Sequence, residues 1–495
     1  MRIPLRRQGC SLQMKGSTVR AQSGNTPVLS AEIYVIPLEA NRFLVYAPLR
    51  HAAFVGNTGI VNLLADLREG RTEECGNDET LEFLRRLEIV DAGPETPPRE
   101  VFPGEPNPVS VTLFLTTACN LRCAYCYAAA GENKARYMPL DLARRGIDFV
   151  VGNALRRGET HFEVNFHGGG EPSRNWPVLT AALAHARGQA EAHGLKLTAY
   201  VATNAVFSEN QLDWIVAHLD GASVSCDGLP EVHDSNRVTS GGKGSSASVI
   251  HSLRRFDAED FSYGIRMTVT AAAIPRLADS VEYLCANFRP GQIQAEPAYQ
   301  IGRWAGAPSA ETEAFVAAFR EARERARGYG RELTFSAARA GTLTNHFCGA
   351  TQDLFALTPD GSISSCYEVF DESSPRAKTF LYGRSSNESW RFDREKIVFL
   401  HRQSVDNRAW CAGCFARWSC GGDCYHKALA IYGEGEFAGT DRCAIIRELT
   451  KDQILAHIAE AGGVFWHTPP ENAAGGCACV SCGDDKRIPR VPLLI

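Results

Sequence analysis

The sequence predicts an α/β fold whose centre is a partial (β/α)6 barrel. Between about residue 109 and residue 297, six short apolar runs alternate with segments of helical periodicity. Such alternation implies parallel strands joined by crossover helices. In addition, most of the 17 cysteines of the chain fall in tight groups. We therefore expect ligands at the carboxyl ends of the strands and metal sites built from thiolates.

Each element of this unit is predicted from its own pattern of apolar residues. The six strands are expected at 110–116, 161–168, 197–204, 221–226, 263–270 and 292–298. The connecting helices are expected at 140–155, 178–194, 211–219, 248–256 and 280–288, and a longer helix at 311–328 closes the unit. After residue 330 the chain is rich in Cys and Gly and weakly periodic, so metal must supply much of its stability.

The chain before the barrel is predicted to form a small separate unit. Two strand-like runs, 32–38 and 42–48, are joined by a turn and followed by two helical stretches. A Pro-rich linker leads to the barrel. The predicted domains are a flexible tail (1–27), the small α+β unit (28–97), the barrel (98–330), a Cys-rich extension (331–450) and a carboxyl-terminal tail (451–495).

Composition excludes several classes of function. The formal net charge of -5 and the pI of about 6.3 provide no positive field for a phosphate backbone, so nucleic acid is not an expected partner. No run of about 18 apolar residues predicts a membrane span. The basic start lacks the apolar segment of a secretory signal. We therefore expect a cytoplasmic protein whose clustered cysteines bind metal in a reducing compartment.

The first cysteine group directly follows the first predicted strand. Cys119, Cys123 and Cys126 have the spacing C-x3-C-x2-C. Three thiolates on one loop can hold three irons of a [4Fe–4S] cluster and leave the fourth iron open to a substrate or cofactor. A zinc knuckle is the alternative, although zinc sites usually pair two separated C-x2-C units.

Polar and glycine motifs end four of the other strands. The second strand ends in His167 followed by Gly-Gly-Gly-Glu-Pro. Thr203-Asn204 ends the third strand and Glu296-Pro297 the sixth. The fourth strand ends in Ser-Cys-Asp-Gly, and His-Asp, Arg and Gly-Ser follow it. Each motif alone is usually a turn, but their order and their placement at strand ends indicate one site.

These motifs together resemble the radical S-adenosylmethionine (SAM) family. The resemblance implies that Cys119, Cys123 and Cys126 hold a [4Fe–4S] cluster whose open iron chelates SAM, and that reductive cleavage yields methionine and a 5'-deoxyadenosyl radical. The sequence departs from the family pattern by one additional glycine and by Ala205 in place of Gly. The residues implied to bind the cofactor are Tyr125, Gly169, Gly170, Glu171, Pro172, Thr203, Asn204, Ser225, Asp227, Arg237 and Glu296.

Seven later cysteines resemble the SPASM extension of this family, which holds two auxiliary [4Fe–4S] clusters. The resemblance implies that Cys348, Cys366 and Cys424 hold auxiliary cluster I, and it predicts three clusters in total. The ligands implied for auxiliary cluster II are Cys411, Cys414, Cys420 and Cys443. Two structural zinc sites are the alternative, because zinc shares thiolate ligands.

Auxiliary cluster I lacks an evident fourth cysteine. An open iron, a non-cysteine ligand or a thiol from the tail, which carries Cys477, Cys479 and Cys482, would complete it. The tail is alternatively a flexible metal-binding or redox-active segment. The remaining cysteines stand alone, and a buried structural thiol is expected for each; they are Cys10, Cys75, Cys226 and Cys285.

The amino-terminal unit resembles, by its pattern only, the winged-helix peptide-recognition domain of peptide maturases. Such a domain binds a leader peptide as an added strand. A generic α+β packing domain is the alternative. We therefore expect a maturase that modifies a ribosomally made peptide or protein with electrons from a flavodoxin- or ferredoxin-type donor, the bond and the substrate remaining open.

Three other functions are weighed against this one. In the sulfatase-type maturases that this chain also resembles, Asp directly follows the G-x4-C cysteine and acts as base, whereas Tyr367 and then Glu368 stand here. A radical SAM enzyme for a small molecule would not need the amino-terminal unit. An iron–sulfur electron carrier would explain the cysteines but not the motifs at the strand ends.

Overall fold

The computed structural model describes residues 12–15, 27–71, 78–99, 104–307, 309–386, 389–433 and 435–466. Two sheets organise this part of the chain, one with five strands and one with eleven. Strands and helices are numbered below in chain order. No helix within the described ranges is long and apolar enough to cross a membrane.

The smaller sheet is antiparallel and joins both ends of the described chain. Its first strands are β1 (Leu12–Lys15), β2 (Glu32–Pro37), β3 (Arg42–Ala47) and β4 (Ala52–Asn57). Two helices follow, α1 (Thr58–Arg68) and α2 (Asp78–Arg86). The strand order is β1-β2-β3-β4, and Val464–Trp466, the last strand within the described residues, pairs with the far edge of β4. The sequence pattern predicted β2 and β3 but neither β4 nor the two edge strands.

Six neighbouring parallel strands form the centre of the larger sheet, and they are the six strands that the sequence predicts. They are β5 (Ser110–Phe114), β6 (His161–His167), β7 (Lys196–Thr203), β8 (Gly221–Ser225), β9 (Tyr263–Val269) and β10 (Gln292–Pro297). Each strand pairs with the next one in the chain, so all their carboxyl ends lie at one edge. The fold is therefore α/β with a large, mostly parallel sheet.

Helices connect these strands and bury their apolar side against the sheet. They are α3 (Leu140–Arg157), α4 (Trp176–His193), α5 (Glu209–His218), α6 (Pro230–Asn236), α7 (Ser246–Ala258), α8 (Leu277–Asn287) and α9 (Thr312–Gly328). Both α3 and α4 end at a glycine, Gly158 and Gly194, whose positive φ angles of 69° and 64° suit the left-handed helix cap. The short helix α6 was not predicted.

The Cys-rich extension is built from short strands and helices and ends in a 20-residue helix. Its strands are β11 (Leu333–Thr334), β12 (Ala356–Leu357), β13 (Ser362–Ser364), β14 (Leu381–Ser385) and β15 (Trp390–Phe392). Its helices are α10 (Ala377–Phe380), α11 (Arg394–His401), α12 (Arg417–Cys420), α13 (Tyr425–Tyr432) and α14 (Asp441–Glu460). Because β11 pairs with β10 and β12 pairs with β5, the extension adds strands on both sides of the six parallel strands β5 to β10.

The ends of the chain take part in the fold more than the predicted tails suggest. Strand β1 lies within the range 1–27, and the second half of α14 and the last strand, β16 (Val464–Trp466), lie within 451–495. One face of the smaller sheet, which includes Tyr34 and Leu44, packs into the same apolar core as the larger sheet. Of the predicted thiols, five lie outside the described residues: Cys10, Cys75, Cys477, Cys479 and Cys482.

Candidate active site

The first cysteine loop follows β5 and is held by main-chain hydrogen bonds to the segment after α6. The amide of Arg122 donates to the carbonyl of Val238 (2.7 Å), and the amide of Ala124 donates to that of Asn236 (2.8 Å). These bonds fold residues 119–126 into a compact loop without a helix. The loop therefore depends on a distant part of the chain for its shape.

The three thiols of this loop interact electrostatically with one another. Burial, together with the charges of Glu171, Cys123 and Cys126, raises the pKa of Cys119 to about 12. Burial also raises the pKa of Cys123, and the positive charge of the neighbouring Arg237 offsets part of this rise. Cys119 accepts hydrogen bonds from the Leu121 amide (3.4 Å) and from the Asn204 side-chain amide (3.7 Å). Three close thiols with N–H donors fit a cluster better than isolated structural cysteines.

The glycines after β6 bring the second strand end against this loop. The amide of Gly170 donates to the carbonyl of Thr116 (3.1 Å), and a Cβ atom at Gly170 would lie 2.2 Å from the carbonyl oxygen of Ala118. Only glycine fits at this distance. A Cβ atom at Gly169 would lie 2.7 Å from the ring of Phe370, which comes from the extension. Gly169 therefore lies at a contact between the barrel and the extension.

Glu171 is buried and joins the ends of β6 and β7. One of its carboxylate oxygens accepts hydrogen bonds from the Thr203 hydroxyl (2.9 Å) and the Ser173 amide (3.2 Å), and the other accepts from the Asn204 amide (2.8 Å). Burial raises the pKa of this carboxyl above its usual value. Pro172 begins the short turn that follows. In this arrangement Glu171 positions Asn204, whose side chain reaches Cys119, and its predicted contact with SAM remains a prediction.

A buried ion pair holds the aromatic residue of the cysteine loop. Asp227, at the end of β8, forms a two-point salt bridge with Arg237, with N···O distances of 3.1 and 3.2 Å. The Tyr125 hydroxyl donates to the same carboxylate, and the Arg237 guanidinium lies 5.1 Å from the centre of the Tyr125 ring. The Thr268 amide of β9 also donates to Asp227 (3.0 Å). Three predicted residues thus form one network beside Cys123.

The remaining motif residues after β8 mainly build the turn that presents Arg237. The buried imidazole of His233 lies 3.0 Å from the Ser245 hydroxyl, which donates to the carbonyl of Arg237 (2.5 Å). Asp234 accepts hydrogen bonds from both the amide and the hydroxyl of Ser246 (2.7 Å each). Ser225, the last residue of β8, stays half-buried. The recognisable His-Asp and Gly-Ser pairs are therefore structural parts of the site.

The seven described thiols of the extension separate into two groups. Cys348, Cys366 and Cys424 interact with one another, and burial raises the pKa of each, to about 12 for Cys424. The thiols of the other group also interact with one another, and burial raises the pKa of each; they are Cys411, Cys414, Cys420 and Cys443. Within the part of the chain described, no three or more His, Cys, Asp or Glu side chains are placed to hold a single metal ion. The thiol groups fit the two clusters that the resemblance implies.

The first thiol group and the group of Cys366 border the same two side chains, Tyr127 and Glu368, which are called the wall below. Tyr127 is half-buried, and its hydroxyl donates to the carbonyl of Gly168 (2.8 Å). Desolvation, together with the charges of Cys126, Glu368 and Cys366, raises the pKa of this hydroxyl. This tyrosine therefore lies between the barrel thiols and those of the extension.

Glu368, on this wall, is held by a chain of polar contacts. Its carboxylate lies 2.6 Å from Nδ1 of His426, whose Nε2 accepts a hydrogen bond from Arg376 (2.8 Å). Although burial alone raises the pKa of Glu368, His426, Lys427 and Arg266 lower it to about 2. The wall thus presents an ionised carboxylate in a defined orientation.

Glu296 and the lone cysteines have other surroundings. Glu296, at the end of β10, faces Arg442 of the extension (2.8 Å) instead of the first cysteine loop. Cys226 and Cys285 are buried, as predicted. Sequence reasoning missed Arg442 and Asp423, although both are charged residues directly beside cysteines, which was the available signal.

No family model matches the chain. Two curated relatives are maturation proteins. The sporulation killing factor maturation protein of Bacillus subtilis is 25% identical over 209 residues, which is 40% of this chain and 44% of that protein. The mycofactocin maturase of Mycobacterium tuberculosis is 31% identical over 166 residues, 33% of this chain and 37% of the maturase. The chain thus spans less than half the length of either relative.

Solved structures share the fold. The structure of anSMEcpe with bound AdoMet superposes with a TM-score of 0.57 at 16% identity and covers 71% of this chain and 99% of the other. The same protein with bound AdoMet and the Cp18Cys peptide gives a TM-score of 0.54 at 16% identity and covers 71% of this chain and 98% of the other. At this identity the likeness establishes the α/β architecture. With the two maturation proteins, it confirms that this chain resembles the radical SAM peptide maturases.

Proposed function

We propose that this protein is a radical SAM/SPASM maturase that modifies a ribosomally made peptide. The observation that carries the proposal is the arrangement of ten described cysteines in three interacting groups, the first of them enclosed by the strand-end motifs. An electron carrier would need the thiols but not the Glu171 and Asp227 networks around the first group. An enzyme that holds a substrate-sized cofactor at this edge accounts for both.

The first cysteine group would hold a [4Fe–4S] cluster with one iron open to SAM, and the two extension groups would hold the auxiliary clusters. When bound, this cofactor pair would supply a 5'-deoxyadenosyl radical able to take hydrogen from an unactivated carbon. Around it, Gly170 allows the two loops to touch, and Asn204 and Arg237 donate toward the thiols. Reducing power would come from an external flavodoxin- or ferredoxin-type protein in the cytoplasm.

The wall formed by Tyr127 and Glu368 would face the peptide. A low pKa keeps Glu368 ionised at neutral pH, so its carboxylate can accept a hydrogen bond from a substrate group. This carboxylate, two residues after Cys366, is the observation that favours a second candidate, oxidation of a peptide side chain as in the sulfatase-type maturases. Tyr367 at the position of their Asp argues for the broader maturase function.

The six neighbouring parallel strands support a partial (β/α)6 barrel, and the amino-terminal sheet supports a winged-helix-like recognition domain. A leader peptide would bind this domain as an added strand. One edge of the sheet is taken by β16 and the other by β1. A leader strand would therefore pair with the outer edge of β1 or β16 or take the place of one of them, and both are short, with four and three residues.

Anaerobic reconstitution tests the proposal. We expect about twelve irons per chain, four for each of three clusters, and reductive cleavage of SAM to methionine and 5'-deoxyadenosine. Co-expression with short reading frames that neighbour the gene, followed by mass measurement of each peptide, would identify the substrate and the bond. Stoichiometric zinc in place of iron, or no SAM cleavage by the iron-loaded chain, would contradict the function.

A further inference from the structure

A chain of three buried charges connects the barrel to the extension. The guanidinium of Arg442, at the start of α14, contacts Glu296 at the end of β10 and Asp423 in the turn before α13, with N···O distances of 2.8 Å in each case. All three side chains are less than 8% exposed. Isolated buried charges are costly, so this group is stable only while all three members stay in place.

Glu296 has little remaining capacity for another ligand. One of its oxygens accepts hydrogen bonds from the Ser336 amide (2.7 Å) and the Gln294 side chain (3.0 Å). The other accepts from Arg442 and from the Tyr299 hydroxyl (3.2 Å). A carboxylate offers about four acceptor positions, and protein donors fill them here. The carboxylate of Glu296 is thus bound to Arg442 of the extension and has no acceptor position left for another ligand.

The other end of the charge chain reaches two thiols of one group. The amide of Asp423 donates to the sulfur of Cys420 (3.1 Å). The hydroxyl of Thr440 donates to the Asp423 carboxylate (3.0 Å), and its amide donates to the sulfur of Cys443 (3.3 Å). Arg442 is the residue directly before Cys443. The salt bridge between Arg442 and Asp423 therefore holds together both segments that place these thiols.

We propose that Arg442 is a positioning residue for auxiliary cluster II, and that Glu296 anchors it to the barrel and does not bind SAM. The inference rests on the proposed function for the identity of the cluster. Arg442 suits this role because its guanidinium bridges two carboxylates in different directions while its faces pack 4.9 and 5.1 Å from the ring centres of Phe335 and Tyr299. Lysine would keep the charge but would reach one carboxylate at a time.

The test compares Arg442→Met, Arg442→Lys and Glu296→Gln in the full-length chain. To isolate the auxiliary clusters, each is also made in a background with Cys119, Cys123 and Cys126 replaced by Ala. We measure iron per chain after anaerobic reconstitution, the electron paramagnetic resonance spectrum of the reduced auxiliary clusters, and SAM binding by equilibrium dialysis. Arg320→Met is the matched control, because Arg320 also pairs with α14, through Asp452 (2.7 Å), but is 41% exposed.

We expect Arg442→Met to lose about four irons and the spectrum of one auxiliary cluster, since one cubane carries four irons. Arg442→Lys should recover part of that spectrum, and Arg320→Met should change nothing. If Arg442→Met fails to fold, Glu296→Gln decides, because it keeps the size of the side chain. For Glu296→Gln the inference predicts an altered electron paramagnetic resonance spectrum of the auxiliary clusters. It also predicts an affinity for SAM within about twofold of the wild type, because the substitution weakens the contact with Arg442 but leaves the SAM site unchanged.

Two outcomes would overturn the inference. One is an Arg442→Met chain with full iron content and an unchanged auxiliary spectrum. The other is a Glu296→Gln chain that keeps its clusters but binds SAM at least about tenfold more weakly, a loss typical of a removed charged contact. A wild-type chain that binds no iron would instead contradict the proposed function, so the two failures are distinguishable.

Discussion

The thiols of the barrel and the thiols of the extension are placed by different kinds of structure. The first group lies on one loop at the carboxyl edge of a regular parallel sheet, and glycine contacts, main-chain bonds and the strand-end ion pair of Asp227 and Arg237 hold it. The extension thiols lie in turns, in short elements and at the start of α14, and a buried ion network reaches two of them. A regular sheet creates a site wherever strands end, whereas irregular chain needs explicit polar contacts to hold each ligand.

Replacing the thiols of each group should give the largest measurable difference between the barrel and the extension. Replacing Cys119, Cys123 and Cys126 with Ala should remove about four irons and abolish SAM cleavage, because the proposed open iron would belong to the cluster of this group. Replacing Cys411 and Cys414 with Ala should also remove about four irons but leave SAM cleavage without peptide detectable. Iron analysis and chromatography of 5'-deoxyadenosine measure both. Loss of SAM cleavage in the second variant alone would reverse the assignment of the groups.

The same comparison explains what the sequence could predict. Strands β5 to β10 and the motifs at their ends were predictable because alternating apolar runs and glycines report a regular sheet. Arg442 and Asp423 were missed despite their cysteine neighbours, because a charged residue in an aperiodic segment is normally solvent-exposed. Strand β16 was not predictable either, since three residues carry no periodic signal and its partner strand is about 400 residues away.

The glycine contact allows a sharper test of the barrel site. Gly170→Val should keep the iron of all three clusters but weaken SAM binding at least about tenfold, because its Cβ would force the carbonyl of Ala118 away by more than 1 Å. Gly188→Val is the control, because a Cβ there meets no atom within 4 Å. Equilibrium dialysis with SAM measures the difference. Equal affinity in the two variants would show that this loop does not shape the SAM site.

Strand β1 tests whether the amino-terminal sheet has an exchangeable edge. Deleting residues 1–15 removes the partner of Glu32–Val35, so the outward amides of β2 should exchange hydrogen about tenfold faster or more. Adding a synthetic peptide of residues 8–19 should restore their protection if the edge accepts a strand from solution. Strand β4, which pairs with β16, serves as the internal control and should not change. Unchanged exchange in β2 would show that β1 does not hold this edge.

The smallest effect is expected from the carboxyl-terminal thiols. Cys477, Cys479 and Cys482 follow two glycines at the end of the chain, and only three described thiols form the group of auxiliary cluster I. A tail thiol that completed this cluster would be a fourth ligand, and replacing all three with Ser would then lower iron content and turnover together. A tail that competed with substrate for an open iron would instead leave iron constant and raise the affinity for the peptide.

We expect the triple Ser variant to keep its iron content, with peptide affinity unchanged or higher. Ordering a tail of this length costs about 1–2 kcal/mol of backbone entropy per residue, and few apolar residues near the three cysteines are available to offset it. The wall beside Cys366 already carries the ionised carboxylate of Glu368, which is oriented by His426 and is an alternative oxygen ligand. Glu368→Gln is therefore the matched variant, and it should change the auxiliary spectrum more than the tail substitutions do. Loss of iron in the Ser variant, with Glu368→Gln unaffected, would establish the tail as the ligand.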